Sequence, residues 1–200
     1  MSLKIKDKIF CCHHPALKER KETLVPIFNE LEMDVAWVEG HPPGELKLIK
    51  GFKNVGEISL SLKHEEIFSY QIKNNLERVL ILEDDAAINK DFPSLYSRCI
   101  KEFDNLNGDI MFIGECCGIK PHGINSDQYV YHHPSYMSRC THCYVSRLSA
   151  AKIIHAECLK MNQPIDFKLN EIIRSKKLKS CYTFPSVHQN LKFKSTLGNS

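Results

Sequence analysis

A continuous apolar run that ends in three acidic residues is the feature that most constrains this chain. Val79–Leu82 has the pattern of a strand buried on both faces of a sheet, and Glu83, Asp84 and Asp85 follow it directly. Adjacent carboxylates repel one another and resist burial unless a cation or hydrogen-bond donors neutralise them. At the end of a core strand they form a natural site for Mg²⁺ or Mn²⁺, which prefer oxygen ligands. The alternative interpretation is a solvated acidic turn.

Strand and helix patterns alternate along the whole chain. Strands are predicted at Lys8–Cys12, Val35–Val38, Val79–Leu82, Ile110–Ile113, His142–Ser146 and Ser180–Phe184. Helices are predicted at Pro15–Leu31, Ile58–Leu76, Leu95–Phe103, Leu148–Met161 and Asp166–Ser175. The segment 114–141 is rich in Gly, Pro and His, which predicts a long loop or irregular strands. The predicted class is α/β with a mainly parallel sheet, in which ligands bind beyond the carboxyl ends of the strands.

The composition predicts one domain over residues 1–200 and excludes several classes of protein. A net charge of +3, with basic and acidic residues mixed, does not indicate a nucleic-acid-binding protein. No apolar stretch reaches the roughly 18 residues of a membrane span, and the N-terminus lacks the apolar core of a signal peptide. We therefore expect a cytoplasmic protein without a membrane span. In that compartment the nine cysteines are expected to be mostly buried thiols.

An ordered series of short motifs accompanies the acidic triplet. They are Gly56-Glu57 followed by His64, Gly108-Asp109-Ile-Met-Phe112, Thr141-His-Cys-Tyr-Val-Ser146 with Ala150-Ala151, Pro164-Ile-Asp166, and Pro185-Ser-Val-His-Gln189 followed by Ser195. Together with Ile81-Leu-Glu-Asp-Asp-Ala86, this set resembles glycosyltransferase family 25. That family includes lipopolysaccharide galactosyltransferases and collagen galactosyltransferase domains.

The resemblance implies a fold, a reaction, a metal cofactor and an acceptor. The fold is of the GT-A type, a Rossmann-like domain with a nucleotide-binding half at about 1–110 and an acceptor and catalytic half at about 111–200. The reaction transfers galactose or glucose from a UDP-sugar to an acceptor hydroxyl, with inversion and with Mn²⁺ or Mg²⁺. The acceptor is a saccharide or a hydroxylated protein. The opening Cys11-Cys12-His13-His14 departs from the family's usual polar start, which leaves the donor sugar open.

The resemblance also assigns roles to individual residues. Asp85 is the expected metal ligand, Asp84 contacts the metal or the sugar, and Glu83 orients its neighbours. His188 is a candidate further metal ligand, although a lone histidine is more often structural or exposed. Arg20 is expected in the nucleotide-binding half, and Gln189 at the acceptor or the nucleotide. His64 is expected to reach the site, with a buried and hydrogen-bonded role as an equal alternative.

An inverting transferase needs a carboxylate that accepts the proton of the attacking hydroxyl. Asp166 is the first candidate, because it lies in the matching motif at the start of a predicted helix. Aspartate is also favoured as a helix N-cap, and the two roles are compatible. Asp109 is the reserve candidate, although after a glycine it can simply lead into a strand.

Three alternatives use the same residues differently. Cys140 and Cys143, with Cys116-Cys117 and His132-His133 upstream, suggest a zinc site, but a structural site normally needs two spaced pairs, so core thiols and loop histidines are favoured. The acidic triplet would also suit another metal-dependent nucleotide-phosphate enzyme, such as a nucleotidyltransferase or hydrolase. The third alternative is a non-catalytic relic of the fold that binds a carbohydrate or a protein partner.

Overall fold

The computed structural model describes residues 4–114, 117, 120–121, 123, 125–132, 140–190 and 192–193. The strands are β1 (Lys8–Cys12), β2 (Val35–Val38), β3 (Arg78–Glu83), β4 (Ile110–Gly114), β5 (Val130–His132), β6 (Cys143–Arg147) and β7 (Ser180–Val187). The helices are α1 (Lys18–Glu30), α2 (Val55–Lys73), α3 (Phe92–Asn105), α4 (Leu148–Cys158) and α5 (Ile165–Lys176), with a short 3-10 helix at Pro43–Glu45. Within these described residues, no helix has the length and apolarity needed to cross a membrane.

The strands form one sheet in the order β2-β1-β3-β6-β4-β7-β5. β1 pairs in parallel with β2 and β3, and β4 pairs in parallel with β7. β6 lies antiparallel between β3 and β4, and β5 runs antiparallel to β7. Five of the seven strands therefore share one direction, which confirms the predicted α/β class with a mainly parallel sheet. Because β6 lies between β3 and β4, the two predicted halves of the chain share this sheet.

The side chains of β3 alternate between two apolar layers, one on each face of the sheet. Val79 and Ile81 pack into the layer that contains α2, α4 and α5. Leu80 and Leu82 pack into the layer that contains α1 and α3. All four are fully buried, as the apolar run predicts, and each contributes ~1.5–3 kcal/mol of burial free energy. This burial fixes the strand that carries the acidic triplet at its end.

The start of α2 differs from the prediction for a physical reason. The side chain of Asn54 accepts a hydrogen bond from the Glu57 amide at 3.0 Å, and Glu57 Oε2 accepts one from the Lys53 amide at 2.7 Å. These capping bonds satisfy donors that a helix end leaves free, so the helix begins at Val55 rather than Ile58. The earlier start places Gly56 and Ser59 in the first turns of α2, beside the end of β3.

Among the described residues, the cysteines follow the prediction with two exceptions, Cys117, which is exposed, and Cys140. Cys11, Cys12, Cys99, Cys143, Cys158 and Cys181 are buried thiols. Cys140 instead forms a disulfide, so the prediction of a free core thiol is wrong at this position.

β5 is an ordered strand inside the segment predicted to be irregular, held by its pairing with β7. Cys116 and His133, from the zinc alternative, and Ser195 lie outside the described residues.

Candidate active site

The acidic triplet borders a cavity of about 100 Å³ at the carboxyl ends of β1 and β3. Its polar lining combines residues that follow these strands with residues from α1, α2 and the segment after β7. They are His13, His14, Arg20, Ser59, Lys63, Glu83, Asp84, Asp85 and Gln189. Sites for whole drug-sized ligands measure roughly 300–1,000 Å³, so this cavity can enclose only part of a nucleotide sugar.

Asp84 is buried and fully engaged by protein donors. Arg20 Nη1 donates to its Oδ1 at 2.6 Å, and His13 Nδ1 lies 2.8 Å from its Oδ2. The backbone amide of His14 lies 3.4 Å from the same Oδ2. Burial raises the pKa of Asp84, but the contacts with His13 and Arg20 outweigh it and hold the pKa below its usual value. Asp84 therefore remains a carboxylate that locks the ends of α1 and β1 together.

Glu83, the last residue of β3, faces the opposite side and is also engaged. Thr141 Oγ1 donates to its Oε1 at 2.5 Å, and His64 Nε2 lies 3.6 Å from the same oxygen. Burial raises the pKa of Glu83, yet the contacts with His64 and Thr141 outweigh it and lower the pKa. His64 is itself buried, with Nδ1 2.8 Å from the Tyr144 hydroxyl. These bonds hold Glu83 in one position beneath the cavity.

Asp85 differs from its two neighbours because one of its oxygens is buried without a hydrogen-bond partner among the described residues. Oδ1 is buried and accepts no hydrogen bond within the described part of the chain. Oδ2 accepts a bond from Gln189 Nε2 at 3.3 Å and lies 3.8 Å from Arg20 Nη1. Burial and the negative charge of Glu83 raise the pKa of Asp85 to about 7. A buried carboxylate in this state gains most from a cation placed against Oδ1.

A strap formed by residues 188–190 holds the backbone around Asp85. Ala86 and Gln189 form an isolated antiparallel β-bridge. The Asn190 amide donates to the Asp85 carbonyl at 2.6 Å, and the Ala87 amide donates to the His188 carbonyl at 2.8 Å. The strap brings Gln189 into the cavity across the end of the sheet.

The donor set suits a hard cation bound together with substrate rather than one enclosed by protein. Across the described ranges, no group of three or more His, Cys, Asp or Glu side chains is arranged to hold a metal ion. Mg²⁺ and similar ions usually bind one or two carboxylates and take their other ligands from water and phosphate. The unpartnered Oδ1 of Asp85 fits that pattern, whereas Arg20 and His13 already occupy both oxygens of Asp84.

Asp166 is the second residue of α5, behind Pro164 at the N-cap position. Its Oδ1 accepts a hydrogen bond from the Phe167 amide at 2.9 Å, so it binds the first turn without being the cap residue. The Ile165 amide donates to Ser61 Oγ at 3.1 Å, which ties the start of α5 to α2. Burial raises the pKa of Asp166 to about 6, and the charge of Glu83 adds to this effect. The carboxyl group is therefore in electrostatic range of the triplet.

Four predicted residues do not line this cavity: His64 and Asp166, which interact with Glu83, and Asp109 and His188, which lie away from it. Asp109 precedes β4, at the end of the sheet opposite to the triplet, and its Oδ2 accepts a bond from the Lys179 amide at 2.8 Å. His188 is exposed and lines a second cavity, of about 540 Å³, on the α3 side. The structure therefore brings Arg20, Glu83, Asp84, Asp85 and Gln189 together, and not Asp109 or His188.

The sequence analysis gave no role to several side chains of the site, among them His13, Lys63 and Thr141. The register of β1 against β3 pairs Cys12 with Glu83, which sets His13 beside Asp84. Thr141 approaches Glu83 because it precedes β6, the other neighbour of β3. Had the parallel pairing of β1 with β3 been predicted, the sequence would have placed His13 at the site. Nothing in the sequence marks Lys63 as buried.

Comparisons with known proteins find similarity over part of the chain. A search of curated proteins finds no match. Among solved structures, the chain is similar to one described as "Crystal structure of a glycosyltransferase involved in the glycosylation of the major capsid of PBCV-1". The two share 16% identity at a TM-score of 0.42, over 77% of this chain and 66% of that chain. The model of glycosyltransferase family 25, described as an LPS biosynthesis protein, matches residues 54–142. This range holds α2, β3 and the acidic triplet, and the resemblance to glycosyltransferase family 25 is confirmed there.

Proposed function

We propose that this chain is a metal-dependent glycosyltransferase. It transfers a hexose, galactose or glucose, from a UDP-sugar to a hydroxyl group of a saccharide or a hydroxylated protein, with inversion. The family match over residues 54–142 supports sugar transfer in general. The donor, the ion and the acceptor rest on the chemistry of the cavity and on the resemblance in sequence.

The observation that carries the proposal is the unpartnered Oδ1 of Asp85. Two of the three acids, Glu83 and Asp84, are held in place by protein donors. Asp85 instead keeps a buried oxygen free at the edge of the cavity. A carboxylate held in this way is stabilised by a cation, and the residues that hold it are bound to one another. The site is therefore preorganised for an ion that arrives with a diphosphate.

Each side chain of the site has a distinct task in the proposed reaction. Arg20 and His13 fix Asp84, and Gln189 orients Asp85 towards the ion. A bound Mn²⁺ or Mg²⁺ supplies positive charge to the leaving diphosphate. Asp166 accepts the proton of the acceptor hydroxyl as that oxygen attacks the anomeric carbon. Its pKa of about 6 suits this task, since a base works best when its pKa lies close to the working pH.

The test is a panel of UDP- and GDP-sugars with and without Mn²⁺. Thermal unfolding and donor hydrolysis are measured for each combination. We expect one UDP-sugar to stabilise the wild type only with the metal. A ligand at ~100 times its Kd adds ~2.7 kcal/mol, which corresponds to a rise in Tm of roughly 5–11 °C at this chain length. In Asp85→Ala this metal-dependent rise should vanish.

Asp109→Asn is the matched control, because Asp109 lies at the opposite end of the sheet and its replacement keeps an acceptor oxygen. It should retain the whole metal-dependent rise in Tm. An equal rise in Asp85→Ala would remove Asp85 as a ligand. Turnover of a nucleoside triphosphate with release of diphosphate, and no sugar transferred, would instead identify a nucleotidyltransferase or hydrolase.

A further inference from the structure

Lys63 is a buried lysine that lines the same cavity and has no acidic partner. It lies on α2 and is 3% exposed. Its Nζ donates to Ser59 Oγ at 2.6 Å, and no ion pair involves it within the described residues. Burial lowers the pKa of Lys63, while the more distant charges of Asp84 and Glu66 partly compensate. A buried ammonium group without a paired charge is unfavourable for folding, so another gain must explain its position.

The hydrogen bonds of Ser59 define how Lys63 is held. Ser59 Oγ donates its own proton to the His41 carbonyl at 2.6 Å, so towards Lys63 it can act only as an acceptor. This chain of bonds orients Nζ at the cavity. An ammonium group has more N–H donors than one hydroxyl can accept, and the remaining donors are available to a bound molecule.

The acids of the cavity do not supply the missing charge. Asp84 is bound by Arg20 and His13, and Glu83 is bound by Thr141. Neither carboxylate lies in salt-bridge range of Lys63 Nζ among the described residues. The two long basic side chains of the lining therefore differ. Arg20 neutralises Asp84, whereas the charge of Lys63 is directed at whatever enters the cavity.

We propose that Lys63, positioned by Ser59, binds an anionic oxygen of the substrate in this cavity. The identity of that substrate rests on the proposed function. Two groups can supply such an oxygen: the diphosphate of the nucleotide sugar, or a carboxylate on the transferred sugar. In either case the ammonium group faces an anion in a partly water-excluded site, where its attraction is stronger than in bulk solvent.

The test compares Lys63→Met with Lys168→Met by calorimetric titration of the folded full chain. Lys168 is the matched control, because it is 4% exposed on α5, pairs with Glu171 at 3.4 Å and does not line the cavity. The probes are inorganic pyrophosphate, UDP, UDP-glucose and UDP-glucuronic acid, each with Mn²⁺. Thermal unfolding of every variant is measured in the absence of ligand.

If Lys63 contacts the diphosphate, Lys63→Met weakens pyrophosphate and all three nucleotides by about tenfold or more. If it contacts a sugar carboxylate, only UDP-glucuronic acid is weakened. In both cases Lys168→Met binds as the wild type does. The Tm of Lys63→Met should be equal to or above that of the wild type, because an unpaired buried charge has been removed.

Pyrophosphate carries neither nucleoside nor sugar. Weaker binding of pyrophosphate by Lys63→Met therefore supports this site even if no UDP-sugar proves to be a donor. A folded Lys63→Met that binds all four probes within about twofold of the wild type overturns the inference. The same holds if the wild type binds none of them. Should Lys63→Met not fold, Lys63→Gln provides the same comparison with a polar side chain.

Discussion

A cluster of three acidic side chains lies at each end of the central sheet, and the two clusters differ in how their acids are paired. At the amino end, Asp7, Glu77 and Asp104 surround Arg78 and Arg147. Arg78 lies 3.2 Å from both Asp7 and Asp104, and Arg147 lies 3.1 Å from Glu77 and also pairs with Asp104. Each acid has at least one guanidinium partner. This amino-end cluster is a closed network of charges that requires nothing from outside the chain.

At the carboxyl end the network is incomplete. Asp84 has its guanidinium partner in Arg20. Within the described part of the chain, however, Asp85 keeps a buried oxygen without a donor, and Lys63 keeps a buried charge without an acid. The two groups lack opposite partners: a cation would pair with Asp85, and an anion would pair with Lys63. The charges of the amino-end cluster are satisfied within the chain, whereas the buried and incompletely paired charges at the carboxyl end suit the proposed ligand site.

The largest effect should come from the proposed base. We expect Asp166→Asn to lower kcat by ~10²–10⁴-fold while UDP still binds within about twofold of the wild type. In the wild type, kcat/KM should fall as the pH drops through about 6, because the carboxyl group becomes protonated. Steady-state kinetics across pH, combined with calorimetry, would measure both.

The same substitution separates catalysis from folding. The raised pKa means that the ionised Asp166 is unfavourable in the folded state, so its contribution to stability is lost as pH rises through the folded pKa. Asp166→Asn should therefore not lower the Tm at pH 7. A large fall in Tm with unchanged kcat would assign Asp166 to the first turn of α5 alone.

The next effect tests whether the carboxyl end contains one closed pair within an open site. Asp84→Ala breaks the buried ion pair between Asp84 and Arg20, and breaking a buried pair is unfavourable by ~3–5 kcal/mol. At this chain length we expect the Tm to fall by roughly 6–20 °C. Asp85→Ala is the neighbouring control and should leave the Tm nearly unchanged without ligand. Thermal unfolding measures the Tm of both variants. Equal losses of Tm would contradict the distinction between Asp84 and Asp85.

The smallest effect belongs to the amino-end cluster. Asp7→Ala leaves Arg78 with one partner fewer and the Tyr96 hydroxyl without its acceptor, a bond of 2.7 Å. An unsatisfied buried polar group is unfavourable by ~1–3 kcal/mol, so we expect a modest loss of stability in chemical denaturation and no change in UDP affinity. The control is Asp34→Ala, whose side chain is 86% exposed beside Lys8 and should contribute nothing measurable. Weaker UDP binding in Asp7→Ala would show that the two ends are coupled.

Much of the fold could be predicted from local patterns. The apolar run Val79–Leu82 predicts a strand buried on both faces, because only such a strand has no polar side to show to water. Helical spacing located α1 to α5 with errors only at their ends, where capping decides the boundary. At Asn54 the cap lies outside the apolar period, so periodicity alone could not place it.

Contacts between distant segments could not be predicted in the same way. The insertion of β6 between β3 and β4 is a matter of tertiary packing, and it is what brings Thr141 to Glu83. Gln189 was expected at the site from resemblance alone, and its bond to Asp85 spans 104 residues of sequence. The burial of Lys63 could not be predicted, because a lysine on a helix is normally solvated. Its burial follows from the packing of α2 over the cavity.

The strap at 188–190 is translated late, which bears on when the site can form during biosynthesis. The acids are translated about a hundred residues before the segment that bridges to Ala86 and donates to the Asp85 carbonyl. A nascent chain can thus lay down all seven strands before its ligand-binding edge is finished. We expect a version that stops after Val187 to acquire its sheet yet miss the bonds that set Asp85, so that competence for nucleotide sugar arises as a late event of biosynthesis.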